Sequence, residues 1–241
     1  MRSGKITVIL LIFLLLGIMN PAIAKLTPWM LEVMADSLSE AGMTVSEVTV
    51  DAMTSWVQFF KNAPMGLIAF ILLEAGIFTD EYRTGSMVLV LTKGMNRYKI
   101  FLSKASEVTL LWSGAYWLSF AVTYGYNSYF WDNSVAKSLA VSVICWWLFG
   151  MLCIALMLFF SVTARSSGTV ILGVGAFAII FYGATLFPKL KKFSPALLMD
   201  GNSLIYGAEA PKAYLAAIII TSALIIALLT AAIPLFNKKQ L

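Results

Sequence analysis

The sequence predicts an all-α integral membrane protein in one domain over residues 1–241. It has six transmembrane helices, both termini cytoplasmic, amphipathic helices in the first outer loop, and a short cytoplasmic helix between spans two and three. Three observations carry this. Of the 241 residues 60% are hydrophobic and only 12% charged, against about 25% charged in a soluble domain. Mean hydropathy is +0.87, more apolar surface than a soluble core of this size absorbs. The apolar residues also fall into six long runs separated by stretches that hold most of the charge.

The first run, Ile6 to about Ala24, follows Arg2 and Lys5. Its end, Asn20-Pro21-Ala22-Ile23-Ala24, imitates a secretory signal peptide with a small-x-small site. The rival reading, a first transmembrane helix with its basic start inside, is the one adopted. Residues 25–62 are polar enough to leave the membrane as two amphipathic pieces. Met30, Leu31, Met34 and Leu38 follow helical spacing opposite Glu32, Asp36 and Glu40, and Gly42 stops the run. Thr44 and Glu47 then make a capping-box pattern ahead of Val45, Val48, Trp56 and Phe60. Two helices at the outer interface, or a small subdomain shielding helix ends, both suit this composition.

Pro64 opens the second span, residues 64–78, short for a bilayer that needs about 20 residues. It carries Glu74, an ionisable group that is costly at membrane depth, with Lys104 a candidate partner. Glu74 and Glu81 share one side if that helix continues. The third span, 105–124, starts beside Glu107. An aromatic loop, Tyr126 to Asn133, supplies interface anchors. The fourth span, 135–162, is long enough to tilt and holds Trp146 and Trp147. The fifth, 169–187, is rich in small residues (Gly173, Gly175, Ala176, Ala178, Gly183, Ala184) that permit close helix approach, within the subunit or between subunits. A second polar loop, Pro188 to Pro211, precedes the sixth span, 213–236.

Orientation follows from the 17 basic residues. Ten fall inside on this topology (Arg2, Lys5, Arg83, Lys93, Arg97, Lys99, Lys104, Arg165, Lys238, Lys239) and seven outside, in the direction of the positive-inside rule. The net charge of +5 is thus a topology signal, and nucleic acid is not an expected partner.

Several chemistries are excluded. There is no histidine, so no imidazole base for a serine triad, no HExxH zinc site and no proximal histidine to hold a haem. Cys145 and Cys153 lie about 12 Å apart along one helix, too far for a disulfide. There is no GxxxxGK[ST] phosphate loop, so ATP hydrolysis by that route is not expected of this chain. Neither a catalytic residue nor a bound metal or cofactor is expected.

The stretch around which the chain is organised is the loop after span two. Residues 74–104 hold five of the 17 bases, with a short apolar run, Met87 to Leu91, set among them. That pattern reads as an amphipathic helix held at the membrane face, whose apolar residues need a protein groove or a headgroup layer to cover them.

Within it, Glu81-Tyr82-Arg83-Thr84-Gly85-Ser86, then Met87 to Leu91, then Gly94-Met95-Asn96-Arg97, then Lys104 resembles the membrane subunits of ATP-binding-cassette exporters of the second permease class. The order Thr84-Gly85 replaces that family's Gly-Thr, and Gly94-Met95 stand where its turn usually carries proline. The firm likeness covers about thirty residues. It implies that residues 79–104 form a coupling loop gripped by a separate ATPase subunit, which binds the ATP and magnesium. Met87, Val88, Leu89, Val90 and Leu91 would make the apolar contact, and Glu81, Arg83, Lys93 and Arg97 the polar rim. Gly85 and Lys104 belong to the same motif. It further implies two ATPase copies, a second permease (identical or closely related), and a multi-pass place in a prokaryotic plasma membrane.

With little intramembrane charge beyond Glu74 and Glu107, an amphipathic peptide or hydrophobic small molecule is the expected cargo. The rival readings are an intramembrane enzyme and a scaffold or toxin-immunity protein that uses the lysine-rich Pro188–Pro211 loop.

Overall fold

The computed structural model describes residues 2–34, 50–92 and 94–239. These form ten α-helices and three short 3-10 turns, with no strand among them. The helices are α1 (Arg2–Val33), α2 (Ala52–Glu74), α3 (Thr79–Thr84), α4 (Ser86–Thr92), α5 (Arg97–Phe130), α6 (Leu139–Thr163), α7 (Ser167–Thr185), α8 (Pro188–Lys191), α9 (Gly201–Ile205) and α10 (Leu215–Lys238). Five stretches are long and apolar enough to cross a membrane: Gly4–Met30, Ala52–Thr84, Leu139–Thr163, Ser167–Thr185 and Pro211–Lys238.

The expected third span lies in α5, which at 34 residues is about 51 Å long but is not among those five. Its middle is diluted by Ser106, Thr109, Ser113, Gly114, Tyr116, Ser119 and Thr123. The reason is position. α5 touches α1, α2, α6 and α10, so much of its surface faces protein rather than lipid. Its buried residues recur at helical spacing (Phe101, Ala105, Val108, Trp112, Ala115, Ser119, Thr123, Asn127).

The bundle has two groups. In one, α1 packs on α2 and α5; in the other, α6 packs on α7 and α10. Contacts of α6 with α5 and α2, and of α10 with α5, join them. Close approach is built into the seam: a Cβ on Gly150 would stand 2.1 Å from the Trp112 ring, so only glycine lets α6 lie this near α5. Aromatic polar atoms stitch the same seam. Tyr116 donates to the Val143 carbonyl at 2.9 Å and Trp147 to Ser113 Oγ at 3.1 Å.

Three expectations change. Residues 25–33 do not start a separate outer helix; α1 runs on through Pro21 and Pro28 to Val33. The helix around Pro64 begins twelve residues earlier, at Ala52, where Asp51 accepts from the Thr54 amide at 3.1 Å. An N-cap aspartate satisfies an amide that the first turn leaves open. Trp56 and Phe60 therefore belong to the buried face of α2, not to an outer amphipathic helix. The expected stop at Gly42 and capping box at Thr44 and Glu47 lie outside the described residues.

The Pro188–Pro211 segment is the third change. It is not simply a polar loop: Leu197, Leu198, Leu204 and Ile205 are buried and pack it onto α6, α7 and α10. Trp146 Nε1 donates to the Met199 carbonyl at 2.9 Å, and Tyr214 to that of Asp200, also at 2.9 Å. Apolar residues spaced irregularly through a loop give no periodic signal, so this cap was not legible.

Candidate functional site

The turn over residues 75–78 ends α2, so Glu74 and Glu81 do not share one helix. The chain then makes two short helices. Gly85 separates them at φ +69°, left-handed geometry that suits glycine, and its backbone N–H closes on the Tyr82 carbonyl. Gly94, at φ +82°, repeats the device before α5. The hairpin of α3 and α4 is thus set by two glycines.

Helix α4 divides its apolar residues. Met87 is buried in the chain's own core and Leu91 packs against that core, while Leu89 is 67% and Val88 45% exposed. The expected apolar contact therefore divides: Met87 holds the hairpin down, and among the described side chains Val88 and Leu89 face outward. The Val90 side chain and Lys93 lie outside what is described.

Lys104 does not pair with Glu74. Buried on α5, its ammonium donates to Glu81 Oε1 at 2.5 Å and to the Ile77 carbonyl at 3.2 Å. Glu81 keeps 30% of its side chain in solvent, so this is a half-buried pair with its second donor satisfied, the arrangement in which burial of a charge is tolerated. It ties α3 to α5. Arg83 lies exposed beside Asp80 at 3.6 Å, a surface pair of little energetic weight. Glu74, at the end of α2, and Glu107, one turn after Lys104 on α5, are both half-buried. Both interact within the chain.

Arg97 is not on an outer rim. Its guanidinium donates to the carbonyls of Phe236 (3.3 Å) and Lys239 (2.5 Å) at the end of α10. Lys239 in turn donates to the Val162 and Ala164 carbonyls, at 2.6 and 3.1 Å, at the end of α6, and lies 3.9 Å from the Tyr82 ring centre. Cations at helix C-termini satisfy orphan carbonyls and oppose the negative end of the helix dipole. Burial, then the nearby Arg165 guanidinium, holds the Lys239 ammonium below the ordinary lysine pKa. Thr79 and Ser167 hydroxyls meet at 3.0 Å, joining α3 to α7. Lys5 reaches the Leu73 carbonyl at 3.2 Å. One end of the bundle therefore collects the start of α1, the ends of α2, α6 and α10, and the starts of α5 and α7, with the α3–α4 hairpin laced to them.

Sequence reading missed two features. Lys239 counted only as a topology charge, although a base at a helix end is a capping signal. The second feature is a polar cluster inside the bundle. Asn62 donates to Asn20 Oδ1 at 2.7 Å, Asn20 to Thr123 Oγ1 at 3.0 Å, and Thr123 to the Gly17 carbonyl at 3.0 Å. It fastens α1, α2 and α5. Asparagine within apolar runs was the available signal.

Midway along the bundle, Leu67, Ile71, Trp146, Phe149, Val174 and Ala178 help line an apolar cleft of about 370 Å³ between α2, α6 and α7. Set against known proteins, the chain matches no family model, no curated protein and no solved structure.

Proposed function

We propose that this chain is the membrane subunit of an exporter driven by a separate ATPase, with α3–α4 as the handle. The observation that carries the reading is the hairpin's mounting. It offers Val88 and Leu89 outward and is bound by Glu81–Lys104 to α5. Through Tyr82 and Lys239 it also reaches α6 and α10. A push on two exposed aliphatic side chains is thereby shared by the spanning helices. A helix merely resting on headgroups needs no such lacing.

On this reading α5 is the sixth crossing, packed along one side against its neighbours, and both termini are cytoplasmic. Of the inner set of bases, Lys5, Arg83, Arg97, Lys104, Arg165 and Lys239 lie at the hairpin's end of the bundle, in the sense of the positive-inside rule. Cargo is apolar or amphipathic, since the cleft between α2, α6 and α7 is lined almost wholly by carbon. A second permease copy would meet the exposed side of α7, where Leu172 and Ile179 lack cover and small residues permit close approach.

The test is purification of the tagged chain from its native membranes in mild detergent. A co-purifying protein with a phosphate-loop sequence and ATPase activity is expected, and Leu89→Asp is expected to remove it while membrane insertion stays equal. No ATPase with the unaltered chain, or equal recovery with the variant, would end the proposal.

A further inference from the structure

The hairpin end of the bundle contains a second concavity, a pocket of about 370 Å³ whose walls include Tyr82, Arg83, Arg165 and Lys239. Its charge is one-sided. Glu81 also lines it, but that carboxylate is held by Lys104. Among the described residues no ion pair engages Arg165 or Lys239, and the hydrogen bonds of Lys239 go to neutral carbonyls. Arg83 has only its exposed contact with Asp80. Three cations around one space call for an anion with several acceptor oxygens.

We propose that this pocket binds the phosphate group of an anionic phospholipid from the leaflet at this end of the bundle. Position selects the lipid over a free anion. The pocket is walled by the residues between α6 and α7 and by the end of α10, where membrane-crossing stretches finish. α7 starts two residues after Arg165, so the pocket lies where a membrane-crossing stretch begins. Juxtamembrane bases draw anionic headgroups in the same way. A bound phosphate would relieve the crowding of Lys239 by Arg165. The inference needs only that the helices sit in a bilayer, and its lipid titration needs no ATPase, although Val88 lines this pocket as well as the proposed ATPase contact.

The experiment titrates the purified chain, in neutral detergent, with dioleoyl phosphatidylglycerol, dioleoyl phosphatidylcholine and inorganic phosphate separately, read by native mass spectrometry and thermal unfolding. Phosphatidylglycerol is expected to bind about tenfold more tightly than phosphatidylcholine. Arg165→Gln and Arg83→Gln are each expected to weaken it roughly fivefold without altering the phosphatidylcholine value. Equal retention of the two lipids, or unchanged binding in both variants, overturns the proposal. So does stabilisation by inorganic phosphate as large as by the lipid, which would mean a small-anion site. Displacement of the lipid by a hexaglutamate peptide at equimolar concentration also overturns it, in favour of an acidic protein segment. Should Arg165→Gln fail to fold, the selectivity of the unaltered chain and Arg83→Gln, a change at an exposed side chain, still decide.

Discussion

Single residues set the geometry of the hairpin end. Lys104 is the more deeply buried member of its pair, and Glu81 the more hydrated. Removing Glu81 strands an ammonium with one carbonyl for company, whereas removing Lys104 leaves a carboxylate that water can reach. Glu81→Leu is therefore expected to cost about 2 kcal/mol and Lys104→Met less, measured by thermal unfolding in detergent; the reverse order would show that the pair is not arranged as described. Gly85 has open space around it, so its constraint is backbone sign alone. Gly85→Val is expected to cost 1 kcal/mol or more, and Gly85→Asn clearly less, because asparagine tolerates left-handed geometry. Equal losses would count against that account.

At the level of the element, helix contacts depend on small residues and buried amides rather than on apolar area, because lipid solvates leucine as well as protein does. Gly150→Ala drives a methyl into the Trp112 ring. An overpacking loss of about 1–3 kcal/mol is expected, with partial recovery in the Gly150→Ala, Trp112→Phe double variant; additivity of the two changes would exclude direct contact. Asn62→Leu removes the donor to Asn20. Its expected cost is about 1 kcal/mol, seen as earlier protease access to α1 in reconstituted vesicles.

For the whole molecule, the two helix groups meet along the α5–α6 seam and at the laced end, and motion of one against the other has to pass through both. Arg97 carries the link from α5 to α10. Arg97→Ala is expected to leave ATPase co-purification intact while uncoupling hydrolysis from cargo movement. Transport at the unaltered rate would remove Arg97 from the transmission path.

Hydropathy and charge, summed over the chain, were enough to give an all-helical, membrane-crossing protein and to mark residues 74–104 as unusual. Those properties are sums over local residues, and a bilayer reads them locally. What escaped was whatever depends on a neighbour distant in sequence. That Lys104 chooses Glu81 over Glu74 depends on a turn after α2. That Arg97 faces α10, and Met87 the core, depends on how the hairpin folds back. α5 looked like an ordinary span, yet Ser119 and Thr123 in its middle are buried against neighbouring helices. Partner choice among charges, and shelter from lipid, are set by three-dimensional proximity, and no window along the sequence contains them.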